Sequence, residues 1–371
     1  MIKVMNIISD SNIGGAGVVL INFMREANRE DFDYTVVVPR GSLLIPRLQE
    51  LNVNIAEMDG IAEKSFAVSQ ISAFRKLFKE LKPDVVHTHA SLSARVAAKL
   101  CGKIKIVYTR HCAYTLEKKQ TAFPRKQIAG IVNNKYSDAI IAISPAACEN
   151  LTDTGADIRK ITTMFNGVDP VVRLGDEEKA ALRERFGVVQ DDFVCAIIAR
   201  LEDVKGHEYI IEAAKLLSDL PVKILIAGTG SIEKELHKHA ELLGLTNVIF
   251  LGFVGDIYTV ENVMDLQLNA SYGTETSSLS LLEGMSLGIP AVVSNFGGNP
   301  YLIPDGENGL VVPKQNAAAM AEAVRWIYND RELYDKLSKG AEKIYAERFT
   351  AATPVRAVED IYRRLYAGRT K

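Results

Sequence analysis

Short apolar segments that alternate with longer amphipathic segments are the feature that most constrains the fold of this chain. The apolar segments fall into two sets: KVMNIIS, YTVVVP, VNIAEM, DVVHTH, KIVYTR and AIIAIS in the first, and VCAIIA, VKILIAG, VIFLGF, LQLNAS, PAVVSN and GLVVP in the second. Such alternation is typical of βαβ units, in which parallel strands are buried between helices. The pattern predicts an α/β fold with two doubly wound parallel sheets.

A turn-rich stretch, FNGVDPVVRLGDEE at 165–178, separates the two sets and is the predicted linker. With 371 residues, the chain is long enough for two ordinary cores. We predict a Rossmann-like N-terminal domain over residues 1–170 and a Rossmann-like C-terminal domain over 171–349. A C-terminal helix over 350–371 is predicted to return to the first domain. Ligands are expected in a central cleft that both domains face, outside the C-terminal ends of the strands.

Charge is unevenly distributed along the chain. The net charge is −2, yet residues 72–135 contain 14 Lys or Arg and only three acidic residues. This segment is interpreted either as solvated helix faces or as a surface for anionic lipid or a phosphate-bearing acceptor. A pI of 6.4 argues against a nucleic-acid-binding domain. The N-terminal apolar run is short for a signal peptide, and no run is long enough to span a membrane. The expected location is therefore the cytoplasm, with peripheral contact to the inner face of the cell membrane as a hypothesis.

Two cations follow the first strand of the second set. Arg200 and Lys205 lie in the loop between VCAIIA and a predicted helix. At the C-terminal end of a strand and beside a helix N-terminus, such a pair favours binding of a diphosphate, although two solvated loop charges are the alternative. Gly228 and Gly230 follow the next strand, where they would let a backbone segment approach a ligand closely.

Two carboxylates in NASYGTETSSLSLLEGMSLG are spaced eight residues apart, at Glu275 and Glu283. Glu275 is predicted in a Gly and Ser loop after LQLNAS, and Glu283 in a helix that begins near Ser277 or Ser278. With a mostly helical spacing, Glu275 would reach the loop end of the cleft and Glu283 would point from the same helix face toward the ligand. Because Glu283 lies among apolar and small residues, its carboxylate requires a partner. That partner is either a ligand hydroxyl or a structural hydrogen-bond network.

Glycines and histidines are the candidate site residues of the first domain. Gly14 and Gly15 open a helix after the first strand, which suits an anion but lacks the full G-x-G-x-x-G spacing of dinucleotide sites. His87 and His89 are two residues apart in DVVHTH. Without a third ligand this spacing is poor evidence for a metal, so no metal site is predicted. His87 is interpreted as a core or cleft residue, and His89 as the one more suited to face substrate.

The order of these motifs resembles that of the family 4 retaining glycosyltransferases, which have the GT-B fold. R-x-x-x-x-K-G, G-x-G after a strand, E-x7-E, GG and D-G-x-N-G-L-V-V-P follow one another, and the resemblance extends from Gly14 to Pro313. It implies a hexosyltransferase that moves a sugar, with retention, from a nucleotide-diphosphate sugar to a glycan or lipid-linked acceptor. UDP-sugar is the first donor candidate and GDP-mannose the second, in surface polysaccharide or glycolipid synthesis. The resemblance also implies that no metal or other cofactor is required.

The resemblance implies that the N-terminal domain, 1–170, is on the acceptor side and that the C-terminal domain, 171–349, binds the nucleotide-sugar donor. It also implies roles for the matching residues. It implies that Arg200 and Lys205 hold the donor diphosphate. Glu283 would bind the ribose hydroxyls, and Glu275 would contact the transferred sugar. His111, in VYTRHCAY, would line the acceptor side near the reacting carbon together with His89. Further donor contacts are implied for Gly14, Gly15, Gly228, Gly230, Phe253, Thr276, Ser277, Ser278 and Leu279.

Two departures from the family pattern bear on the donor sugar rather than on the reaction. The chain has ETSS at 275–278 where the family often has E-G-F-G, and Tyr301 where a Glu often follows GG-x-P. Two other functions stay open: a nucleotide-sugar 2-epimerase on the same fold, and a nucleotide-sugar-binding protein without catalysis. The E-x7-E and Arg–Lys motifs argue against the first. Retention of Glu275, Lys205 and His111 argues against the second.

Overall fold

The protein divides into two compact units. A computed structural model describes residues 1–61, 65–113 and 116–368. The first unit comprises Met1–Val168 and the chain from Ala351 onward, and the second comprises Asp169–Thr350. The domain boundaries predicted from the sequence, after residues 170 and 349, lie close to the boundaries of these two units. Residues 369–371 of the predicted C-terminal helix, and the last tyrosine of VYTRHCAY, at position 114, lie outside the described residues.

The first unit is built on a seven-stranded parallel sheet. Its strands are β1 (Ile2–Ile8), β2 (Phe32–Pro39), β3 (Asn54–Met58), β4 (Val85–His89), β5 (Lys105–Arg110), β6 (Ala139–Ala142) and β7 (Ile161–Thr163). They lie in the order β3-β2-β1-β4-β5-β6-β7, and every neighbouring pair is parallel. The order changes direction between β1 and β4. Such a switch point is where open α/β sheets bind ligands.

Helices connect these strands. Those described before the second unit are α1 (Gly15–Glu26), α2 (Ile45–Glu50), α3 (Val68–Leu81), α4 (Leu92–Cys101), α5 (Lys118–Thr121), α6 (Arg125–Lys135) and α7 (Pro145–Asp153). Serine caps start two of them: the Ser91 hydroxyl accepts from Ala94 N in α4, and the Ser144 hydroxyl accepts from Ala147 N in α7. Both capping serines directly follow the end of a strand or its exit loop, so the local sequence itself turns the chain from sheet into helix.

Two apolar cores cover the two faces of the first sheet. Alternate strand residues point to opposite faces, so Val4 and Ile8 pack with α1 and α2, whereas Met5 and Ile7 pack with α3 and α4. Because both faces are buried, the strands read as continuous apolar runs.

The second unit is built on a six-stranded parallel sheet. Its strands are β8 (Phe193–Ile198), β9 (Val222–Ala227), β10 (Val248–Gly252), β11 (Leu266–Asn269), β12 (Ala291–Ser294) and β13 (Gly309–Val312). They lie in the order β10-β9-β8-β11-β12-β13, again with parallel neighbours. The switch point of this sheet is between β8 and β11.

Helices also cover both faces of the second sheet. They are α8 (Asp176–Arg185), α9 (His207–Leu216), α10 (Glu233–Leu242), α11 (Tyr258–Glu261), α12 (Leu279–Ser286), α13 (Asn299–Leu302), α14 (Ala317–Asn329) and α15 (Arg331–Arg348). One core contains Ile197 and Ile224 with α9 and α14, and the other contains Val194 and Leu225 with α11. Both units are therefore doubly wound α/β sheets, as the sequence predicts.

The last helix, α16 (Ala352–Ala367), packs in the first unit. Its Tyr362 side chain is completely buried, with its ring 5.9 Å from that of Phe32 in an edge-to-face contact. Glu359 accepts hydrogen bonds from the Tyr34 hydroxyl at 2.9 Å and from Asn28 N at 2.8 Å. These contacts tie α16 to β2 and to the end of α1. Among the helices that the structure describes, none has the length and apolar character needed to cross a bilayer.

Candidate functional site

The predicted donor-site residues of the second unit cluster at its switch point. Arg200 and Lys205 lie in the loop after β8, and Glu275 lies in the loop after β11, the strand next to β8. The two loops touch, since Tyr272 N donates to the carbonyl of Val204 at 2.9 Å. The parallel sheet therefore brings together side chains that are 70 residues apart in the sequence.

Lys205 and Glu275 form a buried ion pair. Nζ of Lys205 lies 3.0 Å from Oε2 of Glu275 and donates to the carbonyl of Thr274 at 3.3 Å. Asn269 Nδ2 and Ser271 Oγ donate to the same carboxylate oxygen at 3.1 and 3.0 Å. Burial acts to raise the pKa of Glu275, but the Lys205 ammonium and these hydrogen bonds hold it below its ordinary value. In this structure the Glu275 carboxylate anchors Lys205, and its predicted contact with a sugar stays a prediction.

Two glycines let backbone segments close around this pair. Gly206, between Lys205 and α9, has a φ of +70°, and a Cβ there would lie 2.3 Å from the carbonyl oxygen of Ala270. A Cβ on Gly298 would lie 1.6 Å from the carbonyl oxygen of Thr276. A side chain at either position would displace the loop that carries Glu275.

Arg200 and the glycines after β9 lie on neighbouring loops. The Arg200 side chain is exposed. A Cβ on Gly228 or Gly230 would lie 2.0 or 2.2 Å from the carbonyl oxygens of Ala199 and Leu201, in the loop after β8. Close packing of these two loops therefore explains both glycines, and their contact with a ligand stays a prediction.

The ETSS segment leads into α12. Thr276 is buried, and the Ser277 hydroxyl is buried without a hydrogen-bond partner. Ser278 is the N-cap of α12, although its hydroxyl contacts Ser280 Oγ at 3.1 Å instead of a backbone amide. Leu279 is the first helical residue. The predicted contacts of these four residues with a donor stay predictions.

Glu275 and Glu283 do not share a helix face. The predicted loop position of Glu275 and the predicted helix start near Ser278 are confirmed, since α12 begins at Leu279 with Ser278 as its N-cap. Only Glu283 is therefore helical, and the spacing is about half helical rather than mostly helical, since Thr and Ser favour caps over helix interiors. Phe253, the remaining donor-site prediction, follows β10, and its ring is 80% exposed.

Glu283 is buried beside a second carboxyl group, that of Glu261 on α11. The Glu283 side chain is 5% exposed and Glu261 is 0% exposed, and the two carboxyl groups are hydrogen-bonded. Burial, followed by repulsion from Glu283, raises the pKa of Glu261 to about 10. Burial raises the pKa of Glu283 to about 7. The sequence predicts no role for Glu261. The one feature that could have drawn attention to it is that a charged residue occurs in VENVM, a segment that is buried in the structure.

Three histidines, His87, His89 and His111, form the histidine cluster of the first unit at the ends of β4 and β5. Their rings stack in sequence, with centroids 4.5 Å apart for the first pair and 5.0 Å for the second. Nδ1 of His89 lies 2.7 Å from Nε2 of His111, and Nε2 of His89 lies 3.4 Å from Oδ1 of Asn6. Because the amide oxygen of Asn6 only accepts, His89 donates from Nε2 and accepts from His111 at Nδ1.

His87 is the innermost member of the histidine cluster. Its Nδ1 lies 2.5 Å from the Tyr362 hydroxyl and its Nε2 lies 2.6 Å from Oγ1 of Thr109. Burial, with a smaller effect of His111, lowers the pKa of His87 to about 3. Burial also lowers the pKa of His111 to about 4 and places the pKa of His89 well below its ordinary value. The cluster is therefore neutral at pH 7, and in the described ranges no three His, Cys, Asp or Glu side chains are grouped to hold a metal ion.

A cavity in the first unit is lined by the histidine cluster together with Asn6 and Phe23. Gly14 and Gly15 are not part of its lining. Gly14 is the N-cap of α1, and a Cβ on Gly15 would meet no heavy atom within 4 Å. The N-terminus of α1 thus borders open space, and its contact with an anion stays a prediction.

Comparison with known proteins gives the family. Residues 13–172 match the model described as Glycosyltransferase Family 4, and residues 178–344 match Glycosyl transferases group 1. EpsD of Bacillus subtilis, whose name describes a glycosyltransferase, is 30% identical over 336 residues, which cover 81% of this chain and 83% of EpsD. This chain belongs to glycosyltransferase family 4. The predicted family and the predicted class of enzyme are confirmed.

Other proteins similar to this glycosyltransferase include enzymes and solved structures. The UDP-Gal:alpha-D-GlcNAc-diphosphoundecaprenol alpha-1,3-galactosyltransferase of Escherichia coli is 26% identical, with 77% of each chain covered. Anabaena HepE, solved in complex with UDP, has a TM-score of 0.85 at 21% identity and covers 98% of this chain and 100% of its own. A glycosyltransferase from Rickettsia africae has a TM-score of 0.84 at 19% identity, with 98% of both chains covered. These structures confirm the predicted GT-B fold class.

Proposed function

We propose that this glycosyltransferase transfers a hexosyl group, with retention of configuration, from a UDP-sugar to a lipid-linked or polysaccharide acceptor. The observation that carries the donor assignment is the switch point of the second sheet, where the exposed Arg200 lies on the same loop as the buried Lys205–Glu275 pair. HepE was solved with UDP and with UDP-glucose, and the Escherichia coli relative is named for a UDP-galactose donor and a diphosphoundecaprenol-linked acceptor. These ligands support a UDP-sugar over GDP-mannose.

In this proposal the second unit binds the donor. Arg200 and Lys205 offset the charge of the diphosphate, and Glu275 keeps the Lys205 ammonium fixed before the donor arrives. Glu283 accepts hydrogen bonds from the ribose hydroxyls, and the exposed ring of Phe253 is available to the base. The ordered cations then stabilise charge without reorganising when it develops on the leaving group.

The proposed reaction needs no metal or other cofactor. The bond between C1 of the sugar and the diphosphate oxygen breaks, and its electron pair leaves with the diphosphate. The acceptor oxygen bonds to C1 on the same face, and its proton passes to an oxygen of the leaving phosphate. Arg200 and Lys205 carry most of the catalytic effect, because preorganised cations act where negative charge grows.

His111 serves the acceptor side in this proposal. With its pKa lowered to about 4, it is a neutral hydrogen-bond partner at pH 7 rather than a cation. His89 fixes the His111 ring through the 2.7 Å contact between their nitrogens. His111 therefore orients or polarises a substrate hydroxyl and does not act as a nucleophile.

We also propose that α5 and α6 contact an anionic membrane, where a lipid-linked acceptor would lie. Phe123, Ile128 and Ile131 are 82%, 58% and 62% exposed, and Lys118 and Arg125 are exposed among them. Exposed aromatic and aliphatic side chains with interspersed cations suit a lipid interface, and each cation near it contributes about 1 kcal/mol.

The basic segment 72–135 is not a uniform surface. Arg95 is buried, with its guanidinium carbon 4.2 Å from the centroid of the Tyr108 ring. The Arg95 charge is therefore inside the first unit and cannot contact a membrane. The membrane proposal rests on the exposed face of α5 and α6.

A nucleotide screen tests the donor assignment. Melting temperature and released nucleoside diphosphate are measured with UDP-sugars, GDP-mannose and ADP-glucose. We expect UDP to stabilise the protein and Arg200→Ala to weaken UDP binding by about 10- to 100-fold, since a charge-assisted hydrogen bond contributes about 1.5–3 kcal/mol. Arg356→Ala, an exposed arginine on α16, is the matched control and should bind UDP normally. Stabilisation by another nucleotide alone would refute the UDP assignment, and equal UDP affinity of the two variants would refute the role of Arg200.

Vesicle flotation tests the membrane contact. We expect binding to vesicles that contain phosphatidylglycerol, weak binding to phosphatidylcholine alone, and release at high salt. The double variant Phe123→Ser, Ile131→Ser should lose binding. A control with serine at Leu242 and Val189, which are 78% and 65% exposed in the second unit, should retain it. If the two double variants float equally well, α6 does not contact the membrane.

A further inference from the structure

Two carboxyl groups from different helices of the second unit meet in a buried environment. Glu261 ends α11, and Glu283 lies in the second turn of α12. Both side-chain oxygens of Glu261 and Oε2 of Glu283 are buried and receive no hydrogen bond from an N–H or O–H donor of the described residues. The two groups are nevertheless in hydrogen-bonding contact with each other. Since ionised carboxylates only accept, one of the two must carry a proton.

Among the described residues, no Lys or Arg forms an ion pair with either carboxyl group, although Arg173, Lys179 and Arg183 line the same cavity as Glu261. Asp256, in the loop before α11, adds further negative charge. The arginines of the neighbouring segments bond elsewhere, Arg173 to Glu342 on α15 and Arg183 to Asp265. If both carboxyl groups were ionised in this buried contact, each would lose hydration and the two charges would repel each other. The folded protein therefore keeps one proton between them at neutral pH.

The two members of the pair differ in how firmly they hold that proton. Burial and the neighbouring Glu283 raise the pKa of Glu261 to about 10, so Glu261 stays protonated at pH 7. Burial raises the pKa of Glu283 to about 7, so Glu283 changes charge near neutral pH. Glu261 is thus the hydrogen-bond donor and Glu283 the acceptor above that pH.

We infer that Glu261 is a positioning residue for the donor nucleotide: its protonated carboxyl donates a hydrogen bond to Glu283 and thereby orients Glu283 as an acceptor for ribose hydroxyls. This inference rests on the proposed function, in which Glu283 binds the ribose. Hydroxyl donors bind an ionised carboxylate better than a protonated one. Nucleotide affinity should therefore fall when acidification adds a second proton to the pair.

The test compares wild type with Glu261→Gln. The amide of Gln donates to Glu283 and is uncharged, as protonated Glu261 is, so this variant should keep the orientation of Glu283. UDP dissociation constants are measured by calorimetry for both proteins. The phosphates of UDP titrate equally in the two experiments, so a difference between the profiles comes from the protein. Between about pH 8 and about pH 6 we expect both proteins to lose about tenfold in affinity as Glu283 is protonated, as a group with a pKa near 7 would. Binding by Glu261→Gln that is about tenfold weaker than that of wild type at about pH 8 would overturn the inference.

A second substitution separates positioning from a structural role. Glu261→Leu fills similar space but donates no hydrogen bond, so it should bind UDP about tenfold more weakly than Glu261→Gln at about pH 8. A purely structural role would give the two folded variants equal affinity. Glu322→Gln changes an exposed carboxylate on α14 and should behave as wild type at every pH.

Glu283→Gln distinguishes failure of the inference from failure of the proposed function. If this variant binds UDP as tightly as wild type, Glu283 does not bind the ribose. If it binds weakly while Glu261→Leu binds UDP as tightly as Glu261→Gln, the role of Glu283 stands and that of Glu261 is refuted. Should the Glu261 variants not fold, wild type labelled with ¹³C-glutamate is examined by infrared spectroscopy. A protonated glutamate carbonyl band at neutral pH is expected, and its absence would overturn the inference.

Discussion

Replacing Lys205 by alanine should destabilise the second unit as well as weaken donor binding. The change leaves the Glu275 carboxylate 7% exposed, still bonded to Asn269 and Ser271 but without a counter-charge. Removing one partner of a buried ion pair costs about 3–5 kcal/mol, and the remaining hydrogen bonds favour the lower end. For a unit of this size, about 3 kcal/mol corresponds to a fall in melting temperature of about 6–12 °C.

A double-variant cycle on this pair separates stability from binding. Glu275→Gln removes the buried charge and keeps an oxygen that accepts from Asn269 and Ser271. The double variant Lys205→Ala, Glu275→Gln should therefore regain most of the lost melting temperature while UDP affinity stays low. Because unpaired Glu275 would have a raised pKa, the penalty of Lys205→Ala alone should also shrink as the pH is lowered.

Calorimetric scans of wild type, both single variants and the double variant provide the measurement. The reasoning fails if Lys205→Ala melts within about 2 °C of wild type, or if the double variant melts as low as Lys205→Ala. Recovery of UDP affinity in the double variant would instead show that Lys205 acts on binding only through Glu275.

Three further predictions concern packing and titration. Gly298→Ala should lower the melting temperature by more than about 6 °C or prevent folding, whereas Gly15→Ala, which borders open space, should change it by less than about 2 °C. Tyr362→Phe removes the hydroxyl bonded to His87 and should cost about 1–3 kcal/mol in urea unfolding; a smaller loss would mean that another donor or acceptor replaces it. The histidine cluster is neutral when folded because burial lowers its pKa values, so it costs no stability above about pH 6.5, the ordinary pKa of a histidine. As the pH falls toward about 4, protons bind the unfolded chain but not the buried rings, so the urea midpoint should fall; a midpoint that does not change between these limits would contradict this.

Continuous apolar runs in the sequence made most of the fold predictable. The segments identified in the sequence correspond to β1–β6 and β8–β13, because strands buried on both faces are apolar at successive positions. β7 was not predicted. Its three residues, Ile161–Thr163, are half-buried or exposed at the edge of the first sheet, so no apolar run marks them.

The candidate site was predictable in its location but not in its pairings. Strand ends placed Arg200, Lys205 and Glu275 at one edge of the second sheet, since parallel strands end together. The sequence did not indicate that Lys205 and Glu275 would bond to each other, because that contact depends on how two loops 70 residues apart pack. Glu261 was missed for a similar reason: α11 gives no periodic signal, and its partner lies on another helix.

The two buried carboxylates of the E-x7-E motif are stabilised by different neighbouring groups, so they respond differently to pH. Glu275 is compensated by the Lys205 ammonium, so its pKa is lowered and it stays ionised throughout the neutral range. Glu283 is compensated by a proton shared with Glu261, so its charge changes near pH 7. Acidification from about pH 8 to about pH 6 should therefore act on nucleotide binding through Glu283 while the Lys205–Glu275 pair stays intact. This division requires a pH-dependent change in UDP affinity that is lost in Glu283→Gln and that persists when Lys205 is replaced.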